Sequence, residues 1–216
     1  MGKTLKKEKD GGTKDKILHA AIEEFVAYGY YGARTQKIAD RAKVNKALLH
    51  YYFSSKEKIY EEALKTIFEV IMTKLGALTN EPDDPVEMME MIIDAYAEIF
   101  QTHSQYLKLI MYEVIRGGDK LAVLFKENLL RIPMNPINGK IYLYFKKKMK
   151  EGKIRKMNIF HLLISLIVQV VPVYFAREVL GDKAKLFGIS GVVLNTFVKE
   201  RKLVTLEVMK NGVLKK

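Results

Sequence analysis

The sequence predicts an all-α protein. Apolar residues recur at three-four spacing along most of its 216 residues, no strand-like alternation persists, and Gly, Pro and Asn break the pattern at helix-length intervals. A composition of 49% hydrophobic and 29% charged residues suffices for a sizeable core. The net charge of +12 favours an anionic partner, nucleic acid or an anionic membrane. The absence of cysteine excludes disulfides, thiolate zinc sites and cysteine nucleophiles. The first residues, MGKTLKKEKDGG, lack the apolar run of a secretory signal, so cytoplasmic residence is the expectation.

Residues 1–12 read as a disordered basic arm ending in Gly-Gly. From Thr13, the residues Ile17, Leu18, Ala21, Ile22, Phe25 and Tyr28 form one helical face, and Gly29 reads as the C-cap. A short helix from Arg34 or Thr35 to Ala42 turns Ile38, Ala39 and Ala42 inward. A tight turn at Lys43-Val44 leads to a second short helix over 45–52 with Asn45 as N-cap, and Ser54 or Ser55 caps a long helix to about Leu78. NEPDDP, residues 80–85, breaks the pattern, and helices follow near 86–102, 104–116, 119–131, 136–150, 158–180 and 183–210. The expected division is an arm (1–12), a three-helix domain (13–60) and a larger helical domain (61–216).

Two short helices joined by a tight turn, behind a longer supporting helix, make a helix-turn-helix unit, whose second helix enters the DNA major groove. Val44, Leu49 and Phe53 suit anchoring that helix from behind. Lys46 and His50 lie one turn apart on the opposite face, and Lys46 has the chemistry to donate to guanine or to phosphate. Ala47 lets the backbone approach, Tyr51 has a hydroxyl for phosphate, and Leu48 fits either the core or a thymine methyl. Asn45 at the cap and the helix start at Ser55-Lys56 offer further phosphate contacts. Lys14, with Arg34, Thr35 and Gln36 at the start of the preceding helix, completes the candidate DNA-binding set.

The stretch TKDKILHAAIEEFVAYGYYGARTQKIADRAKVNKALLHYYFSSKEKIYEEAL resembles the DNA-binding domain of the TetR family of bacterial transcriptional regulators. The matching elements include Ile17-Leu18, Phe25, Gly29-Tyr30, Ile38-Ala39, Val44, Leu49, Tyr51, Phe53 and Lys56-Glu57. The resemblance implies an all-α homodimer on a palindromic operator, with a helical C-terminal domain that dimerises and binds a small effector, and a repressor released by that effector. It departs from the family pattern at Lys43, where a turn glycine is usual, and at His50, where a tyrosine is usual. A positive φ at Lys43 would cost about 1 kcal/mol.

For the C-terminal part, Ala184, Gly188 and Gly191, with Phe187, Leu194 and Val198, suit packing across a two-fold axis. Helix 158–180 is nearly apolar all round and carries Pro172, which should kink it. The helix has one polar stripe, His161, Ser165 and Gln169. That stripe, with Tyr96, Phe100, Tyr106, Met111, Tyr112 and Phe125, is the expected lining of a pocket for a mainly apolar effector.

The run 159–176 is also long enough to span a bilayer, but a lone span would expose its polar stripe to lipid. The rival reading is thus a membrane-associated or enzymatic all-α protein built on that helix. The four histidines, at 19, 50, 103 and 161, are scattered and no catalytic or phosphate-loop motif appears, so neither catalytic residues, metal nor cofactor is expected.

Overall fold

The computed structural model describes residues 2–135, 137–180 and 191–214, with side chains within 12–135, 137–177, 196–197 and 200–214. Its helices are α1 (Gly2–Gly32), α2 (Thr35–Ala42), α3 (Lys46–Tyr52), α4 (Lys56–Gly76), α5 (Pro85–Thr102), α6 (Ser104–Ile115), α7 (Asp119–Asn128), α8 (Lys140–Lys150), α9 (Ile159–Leu180) and α10 (Gly191–Val213). A 3-10 turn, Leu129–Arg131, follows α7. Among the described residues the only β pairing is the isolated bridge Ile154–Leu214, so the all-α expectation holds.

Two compact units divide the chain. Unit 1 comprises Met1–Phe68 and Lys108–Leu124, and unit 2 comprises Glu69–Leu107 and Phe125–Lys216. This differs from the expected cut at 60/61, because 108–124 packs with the N-terminal residues through contacts far apart in sequence. Arg116 lies over the Tyr30, Tyr31 and Tyr60 rings at 4.2, 5.5 and 5.2 Å, and the Lys120 ammonium bridges the Glu57 and Glu61 carboxylates. Within unit 1, Ile17, Ala21, Phe25, Ile38, Leu49, Ile59, Tyr60 and Leu64 form the buried centre. Phe25 meets Tyr60 edge-on at 4.9 Å, the electrostatically favoured aromatic arrangement.

One feature of α1 departs from expectation. Its backbone is already helical at Gly2, where a loose arm was predicted; Lys, Leu and Glu in that stretch favour helix. Gly29 interrupts the helix where its C-cap was expected, with φ +66° and ψ 177°, and a further helical turn runs from it to Gly32.

The core of unit 2 brings together α5, α8, α9 and α10, with Met88, Met89, Ile92, Phe100, Ile141, Phe145, Leu163 and Leu166 at its centre. Asp84 caps α5, its carboxylate accepting the Val86 N–H at 2.9 Å, and Pro85 takes the first helical position, where a missing N–H costs nothing. The NEPDDP loop is tied to α8: the Tyr144 hydroxyl donates to the Pro82 carbonyl at 2.8 Å, and the buried Lys148 ammonium reaches Asp83 at 3.1 Å and Glu151 at 3.3 Å. Helix α8 starts at Lys140, later than the predicted 136. The Asn135 carboxamide captures the N–H groups of Ile137 (2.9 Å) and Asn138 (3.0 Å), which holds them in a turn. Gly139 closes that turn where a Cβ would sit 2.5 Å from the Pro133 carbonyl.

Candidate nucleic-acid interface

Helix α2 begins without a capping side chain of its own. Glu24, on the core face of α1 and 2% exposed, supplies the missing acceptor: it takes the Arg34 N–H at 3.3 Å and approaches the Arg41 guanidinium at 3.6 Å. One buried carboxylate therefore holds both ends of α2. Arg41 reaches Glu23 as well, at 2.8 Å. Sequence reasoning missed Glu24, although its position three and four residues from Ala21 and Ala20 placed it on the apolar face.

The turn between α2 and α3 depends on Lys43, whose φ of +56° and ψ of +41° are left-handed. It is the one non-glycine residue with positive φ among those described. The turn is closed by the Lys43 N–H on the Asp40 carbonyl (3.1 Å) and the Val44 N–H on the Ala39 carbonyl (3.0 Å). Asn45 then caps α3 as predicted, its side chain accepting the Leu48 N–H at 2.6 Å.

The residues of α3 and its flanks sort by face. Leu49 is fully buried, Phe53 just beyond the helix is buried, and Val44 and Leu48 are half-buried. Lys46, Ala47, His50 and Tyr51 are exposed, Tyr51 by 76%. A short helix pinned from behind by Leu49 and Phe53 thus presents a cation, a small residue, an imidazole and a phenol outward. The small Ala47 leaves the backbone room to approach a groove floor, and the polar tips of Lys46, His50 and Tyr51 offer donors to base edges and phosphates.

The other predicted contacts sit differently. Lys14 pairs with Glu62 at 3.2 Å and lies over the Phe53 ring. Gln36 donates to Asp40 at 2.8 Å, while the Arg34 side chain is exposed and Thr35 is half-buried. Lys56 donates to the Tyr31 carbonyl at 3.2 Å and stands over the Tyr30 ring at 4.9 Å; desolvation there pushes its pKa down. Lys56 therefore ties the start of α4 to the end of α1. The α4 cap is Ser55, whose hydroxyl accepts the Lys58 N–H at 3.2 Å.

Elsewhere in unit 1 lies a second group that sequence reasoning did not find. The Glu113 carboxylate, 2% exposed, takes the Arg116 guanidinium at 3.0 Å and the Lys120 N–H at 2.9 Å. Burial, with Glu113 adding to it, pushes the Tyr60 hydroxyl up to about 12. Each partner is separated from the N-terminal residues by half a hundred positions or more, so no local pattern signals the arrangement.

The nine predicted effector residues do not assemble into one site within either unit. Met111 and Tyr112 belong to unit 1 and the other seven to unit 2. Of those seven, Tyr96 and Phe100 stack at 6.0 Å in the core, with Tyr174 at 6.2 Å from Phe100. Tyr174 was missed, yet it continues the every-fourth-residue line Leu162, Leu166, Val170 on the buried face of α9. Tyr106 is buried against His103, Phe125 is half exposed and His161 is exposed. Leu162, Leu163 and Leu166 take the core face, which leaves Ser165 and Gln169 half-buried at its edge. Gln169 donates to the Met209 sulfur, and its carbonyl accepts from Arg201 at 3.0 Å. Ala184, Phe187 and Gly188 lie outside the described residues, as do the side chains of Leu194 and Val198.

The fold and the outward face of α3 define a helix-turn-helix protein with a helical C-terminal part. Residues 17–63 match the family model "Bacterial regulatory proteins, tetR family". The chain is 32% identical over 108 residues to the HTH-type transcriptional regulator RutR of Escherichia coli K12, covering 50% of each. It is 27% identical over 106 residues to the HTH-type transcriptional repressor NicS of Pseudomonas putida, covering 49% of this chain and 50% of NicS. The chain thus spans about half the length of the curated relatives it matches. Among solved structures it superposes on a TetR family transcription regulator from Marinobacter aquaeolei with a TM-score of 0.69 at 13% identity, covering 97% and 100% of the two chains. On the fatty acid degradation regulator FadR of Bacillus halodurans the TM-score is 0.65 at 16% identity, over 89% and 94%. Residues 17–63 thus resemble the DNA-binding domain of the TetR family of bacterial regulatory proteins, and the rest of the chain shares the fold of solved members.

Proposed function

We propose that the chain is a sequence-specific transcriptional regulator, working in the cytoplasm as a homodimer that places α3 of each subunit in successive major grooves of a palindromic operator. The carrying observation is the division of α3: Leu49 and Phe53 buried, Lys46, Ala47, His50 and Tyr51 bare. Selection of bound duplexes from a random pool tests this, with a two-fold half-site pattern expected. Lys46→Ala then relaxes discrimination at one base position by about 1–3 kcal/mol if Lys46 reads a base. Tyr51→Phe weakens all sequences alike. A pool that returns no enriched sequence overturns the proposal.

The dimer reading is supported by the exposed apolar side chains of α9 and α10. These two helices pack together, with Phe160, Ile164 and Val168 on one, and Phe197, Val204 and Val208 on the other, each between 40% and 59% exposed. Residues Ile159–Arg177 are long and apolar enough to cross a membrane. Yet Leu162, Leu166, Val170 and Tyr174 of that run are buried in the core of unit 2, so the uncovered side calls for one apolar partner face, which a second copy supplies. Sedimentation of detergent-free protein should give a dimer, and Val168→Glu should shift it towards monomer. Recovery only with membranes would refute this reading.

An effector acts by binding one state of the dimer better than the other. The stacked pair Tyr96 and Phe100, with Tyr174 tilted against Phe100, is the place proposed for a small, mainly apolar effector that releases the repressor from DNA. The Bacillus halodurans neighbour is a regulator of fatty acid degradation, and fatty acids are an apolar class consistent with such a lining.

A further inference from the structure

The net charge is not where the helix-turn-helix is. Residues 13–64 hold nine Lys or Arg against seven Asp or Glu, a net of only +2. The stretch KIYLYFKKKMKEGKIRK, residues 140–156, holds eight against one, a net of +7 out of the chain's +12. We propose that the outward face of α8 and the basic segment after it form a second contact for duplex DNA, one that holds backbone phosphates without reading sequence. This rests on the reading of the chain as a DNA-binding protein.

The geometry separates the cations that have partners from those that do not. Lys148 and Lys153 are held by Asp83, and Lys147 reaches Glu81 at 3.3 Å in a solvent-exposed pair. Lys140, Lys146, Lys150, Arg155 and Lys156 are exposed and make no ion pair among the described residues. Lys146 and Lys150 are four apart, a like-charge spacing that destabilises a helix until an anion is near. A groove of 450 Å³ runs beside them, lined by Leu143, Lys146, Lys147, Lys150 and Glu151. At about 1.5 Å per residue, α8 is roughly 16 Å long, and a duplex presents on the order of nine charges over that length on its two strands.

The alternative anionic partner is a bilayer surface. An interfacial helix holds by burying its apolar face among the acyl chains. In α8 that face is already occupied: Ile141, Tyr144 and Phe145 are buried in the core of unit 2, leaving Leu143 alone, 45% exposed, among the lysines. What remains is lysine, a flexible point charge suited to phosphate in no fixed register. Polyphosphate density therefore fits this face and lipid insertion does not.

The test uses the full chain with Lys140, Lys146, Lys150 and Lys156 all changed to Gln, which leaves the Lys147, Lys148 and Lys153 pairs intact. Binding to a 60-base-pair random duplex is followed by fluorescence anisotropy from 50 to 200 mM salt. Each lost phosphate contact lowers the log–log slope by about 0.9, so four lower it by ~3.6. The wild type should lose on the order of 150-fold more affinity than the variant over that range. A control variant, Lys65→Gln with Lys126→Gln and Lys210→Gln, should change the slope little. An unchanged slope in the quadruple variant overturns the proposal. So does an equal effect per charge in the control, or loss of binding to phosphatidylglycerol vesicles with duplex binding intact. A Lys46→Ala, Tyr51→Phe double variant should lose operator preference and keep the slope that depends on the four lysines. A missing operator preference in the wild type would instead sink the regulator reading and leave this contact standing.

Discussion

Replacing Lys43 by glycine should stabilise the protein. Lys43 sits at φ +56°, ψ +41°, where a Cβ crowds the following carbonyl, at a cost of about 1–2 kcal/mol for an L-residue. Glycine removes that cost but gains freedom in the unfolded chain, which returns about 0.4–1 kcal/mol. Nothing else is lost, because the Lys43 side chain is exposed and the turn is closed by backbone hydrogen bonds alone. The net gain is thus ~0.5–1 kcal/mol. With a urea m-value of about 2 kcal/mol/M, the midpoint of the transition that unfolds unit 1 should rise by ~0.3–0.5 M at constant m. Lys43→Ala keeps the Cβ and should shift the midpoint by less than about 0.2 M, within the range of a neutral surface change. Lys43→Asn should fall between, since Asn tolerates this region. The sign discriminates: at an ordinary helical φ, glycine costs about 0.5–1 kcal/mol. A Lys43→Gly protein no more stable than Lys43→Ala would refute the left-handed turn and the geometry of α3 that depends on it.

Other perturbations follow from the buried charges. Glu24→Ala strands the Arg34 N–H and frees Arg41, and should cost about 1–3 kcal/mol in thermal unfolding, with operator affinity falling as α2 loosens. Arg116→Ala strips three tyrosine rings of their cation and leaves the Glu113 carboxylate buried, so it should cost about 3 kcal/mol. Lys120→Ala breaks only partly exposed pairs with Glu57 and Glu61 and should cost less than about 1 kcal/mol by the same urea assay. Lys153 and Lys148 hold the Asp83 carboxyl down at about 2, below its ordinary 3.8. A depressed acid stabilises the fold above its unfolded pKa and loses that contribution as pH falls towards its folded one. Asp83→Asn should therefore lower the neutral-pH midpoint and flatten its decline between pH 4 and 2, as urea titrations across that window will show.

The sequence disclosed what is local. Residues Ile38, Ala39, Ala42, Leu49 and Phe53 announce the packing of α2 and α3 because three-four spacing and a cap are properties of neighbouring residues. Asn45 caps as predicted, since a cap reaches no farther than the third residue of its own helix. The Glu113–Arg116–Tyr60 group was illegible for the opposite reason: its meaning lies in a return of residues 108–124 to unit 1, and charge on a helix looks the same whether it faces water or a buried ring. Aromatic spacing does not tell a pocket wall from a core. The apolar character of α9 suggests an inward stripe, whereas its leucines claim the core, leaving His161 exposed and Ser165 and Gln169 half-buried at the edge.

The charge distribution bears on how such a protein would find one site among many. Non-specific attachment to DNA scales with phosphates neutralised, whereas discrimination comes from base edges. A recognition unit with a net charge near +2 gains little from random phosphate contacts, and its outward α3 face carries one lysine beside groups that need particular neighbours. The cations on α8 lie on another helix of another unit, so on the proposed reading altering them should leave the discrimination of bases unchanged. Operator preference, measured as a ratio of affinities for operator and random duplex, should then be nearly independent of salt, while each affinity alone falls steeply. A ratio that collapses with the affinities would mean that both tasks share the same lysines, contrary to the separation of Lys46 from Lys146 and Lys150 into different units.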